Sequence, residues 1–287
     1  MCRLIDDIAA FLEGNGFECS RQMRHDFDVI CTKTLDGRYS RIIMPLRITA
    51  RSREEAGQGS EEASYAIRMI SSESEYPLII AEDRWKRQRK MMEARLLAHL
   101  EVFSQAYARN CEVRRIDKAE AKAFLAGNHS YGYAACRYCY GLFLKRHTGH
   151  IAEETSGIGY IGKMIAVATF SNARKWVKDG KEIRSYEWTR YASLPEMRVS
   201  GGMGKLLKAF IKEVQPDDIM SYADLEWSEG EVYRALGFEA EMEKEAVDFV
   251  IDGETWERSP IRSGKEGNLF FRNFGSRKFR IKLTDYK

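Results

Sequence analysis

The stretch Ser200-Gly201-Gly202-Met203-Gly204 puts three glycines among four residues directly before "KLLKAFIKEV". Leu206, Leu207, Phe210, Ile211 and Val214 follow at the spacing of an amphipathic helix. A chain written this way must bring a loop poor in Cβ atoms onto the first turn of a helix whose apolar stripe faces a core. That first turn leaves backbone N–H groups unpaired and carries about half a positive charge, and glycines let the main chain approach an anion closely. The feature therefore predicts a phosphate cradle, with a ligand-free glycine turn as the competing reading. A P-loop needs a hydroxyl where Leu206 stands, and the spacing of these glycines is wrong for the dinucleotide fingerprint.

The 287 residues are 44% hydrophobic and 31% charged, enough for two cored domains with a solvated surface. We expect an α/β (α+β) protein: a small α/β domain over 1–108, then a mixed β-sheet flanked by helices over 109–287. "DDIAAFLEGNGF" reads as a helix with a glycine stop, "FDVICTK", "YSRIIMPLRIT" and "YPLIIAED" as strands, and "SREEAGQGSEEAS" as a loop. "DRWKRQRKMMEARLLAHLEVFSQAYA" reads as one long helix. From Cys111 onward come a strand and helix, then the strands "YCYGLFLK", "KMIAVATFS" and "IRSYEWTRYASL". The glycine stretch is followed by "DDIMSYADLEW" as a strand, "SEGEVYRALGF" as a short helix, and further strands in "VDFVIDGETWERS" and "RKFRIKL". Ser228 with Glu231 three residues on predicts a capping box for the short helix.

Asp28 on a strand after a helix resembles the layout of nuclease-like folds, but Met44-Pro45-Leu46-Arg47 stands where a second acid and a lysine are needed. A divalent ion would lack ligands there, so we expect a degenerate or structural module. Cys136-x-x-Cys139 with His147 and His150 departs from zinc-finger spacing, and no metal site is expected. Six cysteines over this length, no long apolar run and an acidic start point to a reducing, cytoplasmic setting without a membrane partner.

Arg198-x-x-Gly201-Gly202-Met203 resembles the acyl-CoA pyrophosphate loop of the GNAT superfamily of N-acyltransferases. "EVYRALGFEAE" is similar to the segment in which that family's short helix carries a tyrosine into Leu-Gly-Phe and the next strand. The resemblance spans about residues 111–257. It implies acetyl-CoA or another acyl-CoA as cofactor, held by Arg198, Val199, Ser200, Gly201, Gly202, Met203, Gly204 and Lys205, with Met203 replacing a small residue and narrowing the cradle. It also implies a sheet splayed beside "YEWTRYAS", Tyr233 as general acid, direct transfer to an amine, and an oligomeric state and acceptor left open. Asp224 is the first candidate base and Glu187 or His129 follow, with helix capping competing for Asp224 and a hydrogen-bonded structural role for His129, and Arg190 stands either to neutralise an acidic substrate or to pair with Glu187. Within the superfamily, "NHSYGY", "YEWTRYASLP" and "SYADLEWSEGEVYRALGF" look most like phage and bacterial Mom-like DNA-modification proteins. That likeness makes the basic, aromatic stretch from Arg258 to Lys287 a possible DNA contact. The alternative function is thus a DNA-modifying or nucleic-acid-binding protein with altered or lost acyl-CoA chemistry, and plain terminal strands with aromatics inward are the competing reading of the stretch.

Overall fold

The computed structural model describes residues 3–38, 40–146, 157–178 and 180–284; His147 and His150 lie outside them. By packing, the chain falls into two compact units that are each discontinuous in sequence: Met1–Val102, Asp224–Glu229 and Glu243–Ser276, and Phe103–Ala223, Gly230–Met242 and Arg277–Lys287.

In the first unit α1 (Arg3–Gly14) precedes an antiparallel meander of β1 (Phe17–Arg24), β2 (Phe27–Thr34) and β3 (Ser40–Leu46). α2 (Arg53–Glu73) then crosses over to β4 (Leu78–Ala81), which pairs parallel with β3. Strand alternation divides the sheet's apolar residues between two faces. Ile30, Ile43, Leu78 and Ile80 meet Ile8 and Leu12 of α1, whereas Val29, Ile42, Met44 and Ile79 meet Ala63, Ala66, Ile67 and Ile70 of α2.

Two expectations fail here. The segment read as a loop, "SREEAGQGSEEAS", is the start of α2, and its signal was local: Ser52 caps the helix by accepting from the Glu55 N–H at 3.1 Å. Its Gly57 serves close packing, since a Cβ there would stand 3.0 Å from the Arg272 guanidinium. The single long helix is instead α3 (Glu82–Arg87) and α4 (Arg89–His99), broken at Gln88, and its tail is a strand, β5 (Ser104–Tyr107). Glu101 takes the left-handed conformation (φ 62°) just past α4, which a helix cannot continue through.

The second unit continues with β6 (Cys111–Arg115), α5 (Lys118–Asn128), β7 (Tyr138–Leu144), β8 (Met164–Phe170), β9 (Arg174–Lys178), β10 (Lys181–Ser193) and β11 (Met197–Ser200). After these come α6 (Gly202–Val214), β12 (Asp218–Asp224), α7 (Glu231–Ala235) and β13 (Glu239–Lys244). A large mixed sheet runs in the order β13, a final strand, β12, β10, β8, β7, β6, with β9 also beside β10. Helices cover both faces. Phe210 of α6 stacks on Phe170 at 3.9 Å, and Ala121 and Leu125 of α5 pack with Val167 and Ala192 on the other side.

β14 (Asp248–Ile251), β15 (Arg258–Pro260) and β16 (Leu269–Arg272) form a separate sheet, and only β17 (Ser276–Lys282) joins the large one. Packing groups the chain differently from the division expected at 108/109. Phe249, Ile251, Leu269 and Phe271 bury their side chains with Ile48 and Ala81, so residues 243–276 belong to the first unit. Asp28 and Arg47 both line a cavity of about 490 Å³ in that unit. Among the described residues no group of three His, Cys, Asp or Glu side chains is placed to hold a metal, and no helix is long and apolar enough to cross a membrane.

Candidate functional site

The glycine loop sits where a strand hands over to a helix. β11 runs parallel to β5 up to Ser200, and Gly201 then adopts φ +76°, a left-handed turn that suits glycine. α6 starts at Gly202 with no side-chain cap, and among the described residues the N–H groups of Gly202, Met203 and Gly204 have no acceptor. The first N–H to find one is Lys205, which donates to the Gly201 carbonyl at 3.0 Å. A Cβ on Gly202 would stand 2.9 Å from Val199 Cγ1 and 3.2 Å from the Tyr191 hydroxyl, so the cradle exists only with glycine.

The flanking residues divide. Val199 points into the core and Met203 packs against it, so the thioether does not simply cover the loop. Ser200 Oγ accepts from Gln105 at 3.1 Å, and Arg198 is exposed, with its guanidinium 5.2 Å from the Phe103 ring. Lys205, expected at the cofactor, has internal partners. Its ammonium donates to the carbonyls of Ala108 (2.8 Å) and Cys111 (2.5 Å), where it braces the loop from behind. Tyr191, which the sequence did not single out, presents its hydroxyl to Gly202, and burial keeps this phenol well above the ordinary range, hence protonated.

A wedge opens in the sheet nearby. β10 and β12 pair in parallel through Ser185–Asp218, Tyr186–Ile219 and Glu187–Met220, and the ladder stops there. Beyond it β10 carries a bulge between Trp188 and Arg190. Ser221, the next residue of β12, bridges the gap by its side chain, donating to the Trp188 carbonyl at 3.0 Å. Its oxygen lies 2.8 Å from the Tyr233 hydroxyl. Burial raises the Tyr233 phenol, while the Ser221 bond and the nearby Arg190 cation act the other way. The ring is held by stacking on Phe279 and edge contacts with Trp188 and Phe238. A buried serine inside the apolar run "DIMSYAD" was the sequence signal for this bridge.

The three candidate bases have different surroundings. Glu187 lies on β10 at the end of the ladder, and its carboxylate has no hydrogen bond or ion pair among the described residues. His129 caps α5, with its Nδ1 accepting from the Tyr131 N–H at 3.1 Å. Asp224 accepts from the Glu226 N–H at 3.0 Å and closes a turn in the segment that belongs to the first unit. The capping box expected from Ser228 and Glu231 is absent: Gly230 (φ 84°) caps α7, and Glu231 pairs with Arg234. Gly230 holds that place because any Cβ would run into the ring of Phe279.

The basic C-terminal stretch is mostly satisfied internally. Arg258, Lys265, Arg272, Lys278 and Arg280 each form ion pairs with acids of the chain, and Phe271 and Phe279 are buried. Cys136 and Cys139 are buried with their sulfurs 3.3 Å apart, and burial first of all pushes the Cys139 thiol up to about 12. They behave as small core residues.

No family model and no curated protein matches the chain. Among solved structures, the yncA protein of Salmonella typhimurium, determined with acetyl-CoA as its cofactor, is 13% identical, with 62% of this chain and 96% of that one covered and a TM-score of 0.35. A GNAT-family acetyltransferase from Bacillus anthracis is 11% identical over 60% and 95% of the two chains, with a TM-score of 0.31. An N-acetyltransferase from Staphylococcus aureus Mu50 is 12% identical over 61% and 99%, again with a TM-score of 0.31.

Proposed function

We propose that the second unit binds acyl-CoA and transfers its acyl group directly to an amine. One observation carries this reading: three consecutive N–H groups without acceptors, at Gly202, Met203 and Gly204, lie at the start of a helix in the same unit as an open wedge between two parallel strands. Oxyanions of the CoA pyrophosphate satisfy those donors and the positive end of α6, and the Tyr191 hydroxyl adds a donor from the side.

Acyl-CoA supplies an activated thioester, whose C–S bond breaks as the amine nitrogen forms the new C–N bond. Glu187 is the base that takes the proton from the amine, because its carboxylate is uncommitted. Tyr233 gives its proton to the departing sulfur and recovers one from solvent. Burial raises its pKa, so the hydroxyl stays protonated across neutral pH and loses its proton only on the alkaline side, above the ordinary phenol range. A DNA acceptor is not part of this reading, since the cations that would follow a phosphate backbone are largely paired within the chain.

Tyr233→Phe keeps the ring stack on Phe279 and removes only the hydroxyl. We expect kcat for CoA release with an amine acceptor to fall by about 100-fold, with the dissociation constant of acetyl-CoA little changed. Stopped-flow thiol detection beside calorimetric titration reads both quantities. Full turnover by the Phe variant would remove Tyr233 from the mechanism.

A further inference from the structure

Glu187 and Arg190 are three positions apart on β10, a spacing that in a regular strand sends side chains to opposite faces. The bulge between them resets the alternation. Tyr186 and Trp188 both turn toward the α6 side, where they meet Phe210 and Phe170, so Glu187 faces the α5 side. Arg190 is registered opposite Thr169, two residues from Val167, which packs with α5, whereas Tyr191 reaches Gly202 of α6. The two charges therefore share the α5 face, one on each side of the bulge.

Neither is neutralised by the protein. Arg190 is fixed by Nε donating to the Gly132 carbonyl at 3.0 Å and Nη1 donating to the Thr189 carbonyl at 2.7 Å, both neutral acceptors, and its Nη2 has no partner among the described residues. Burial lowers its pKa, the penalty of a cation without a counter-ion, and Glu187 offsets this only through space. No ion pair joins the two side chains, so each keeps its charge for something else.

Resting on the acyltransferase reading above, we infer that the acceptor is a small zwitterion: a primary amine carrying a carboxylate or phosphate a few bonds away, its ammonium at Glu187 and its anion on the Arg190 guanidinium. The guanidinium fork suits either oxyanion, and the Gly132 carbonyl bond aims it. Such an arrangement rejects neutral amines, which leave Arg190 unpaired, and polycations, which it repels.

The test uses the full chain with acetyl-CoA and follows CoA release for amines of equal length that end in a carboxylate, a phosphate, a methyl or a second amine. We expect kcat/KM about 100-fold higher for one of the two anion-bearing series than for the methyl-ended amine, and the better series names the anion. Arg190→Gln brings that ratio close to one through KM, and Arg190→Lys restores part of it. Equal or better use of methyl-ended or diamine acceptors overturns the inference, as does an unchanged ratio in a folded Arg190→Gln protein. Acylation only of a polymer such as DNA or a peptide overturns it too. If acetyl-CoA raises the melting temperature but no zwitterion is acylated, the acceptor assignment falls and the cofactor site stands. If acetyl-CoA gives no shift, both fall.

Discussion

If the proposed function holds, Gly202→Val is expected to abolish most of the thermal stabilisation that acetyl-CoA gives. At a concentration 100 times its dissociation constant, a ligand adds about 2.7 kcal/mol to the folded state, and a 100-fold loss of affinity leaves only about 0.4 kcal/mol at the same concentration. The loss follows from position, since the new Cβ would stand 2.9 Å from Val199 Cγ1 and 3.2 Å from the Tyr191 hydroxyl. The branched side chain then stands over the N–H groups or drives both neighbours out of place. Without ligand the variant is destabilised by the ordinary cost of overpacking, about 1–3 kcal/mol, which leaves a folded chain to assay. Scanning fluorimetry with and without acetyl-CoA reads both effects. A variant that keeps the full shift would show that the cofactor does not enter this loop.

The second large effect concerns the first unit. Arg258 is buried between Asp83, reached by Nε and Nη2 at 2.7 Å, and Glu226, reached by Nη1 at 2.6 Å. Burial alone would raise the Glu226 carboxyl, but Arg258 and then Arg84 more than offset it and hold the group below its usual range. Arg95, whose charge Glu226 supports, is lowered to about 10 mainly by burial, and its Nε has no partner among the described residues. Arg258→Leu removes the cation that two buried carboxylates depend on and is expected to cost about 3–5 kcal/mol, roughly 10 °C or more in melting temperature.

The pH dependence has a definite sign. In the native protein Glu226 is depressed, so its contribution is complete above the unfolded pKa and is lost as pH falls through the folded one. In Arg258→Leu burial dominates and raises the same carboxyl, so the deficit is widest near neutral pH and narrows on acidification. Melting curves at several pH values decide this. A substitution costing less than about 1 kcal/mol would mean that the cluster is solvated.

How far the sequence could be read depended on the range of the interactions. The strand to glycine to helix hand-over at 199–206 and the short helix bearing Tyr233 are written locally, in spacing and glycine placement, and they occur where expected. β1 was missed because "FECSRQMR" is an edge strand with a largely exposed face and so lacks apolar alternation. The return of residues 243–276 to the first unit was illegible because it rests on distant partners, Ile48 and Ala81 for the apolar face and Asp83 for Arg258. In the site, the bulge beside Thr189 has no glycine or proline to announce it, and without it Glu187 and Arg190 appear to face opposite ways. Lys205 shows the same range effect: a lysine beside a glycine loop suggests a phosphate ligand, and spacing alone does not reveal that carbonyls of Ala108 and Cys111, nearly a hundred residues earlier, accept from its ammonium.

In the proposed function, main-chain donors at the start of α6 receive the phosphates of CoA. Titrating CoA into isotopically labelled protein and following backbone amide resonances tests it most directly. Saturable downfield proton shifts are expected at Gly202, Met203 and Gly204, with the side-chain-braced Lys205 amide moving least of the four. Binding of CoA that leaves those three amides unmoved, or no binding at all, would contradict it.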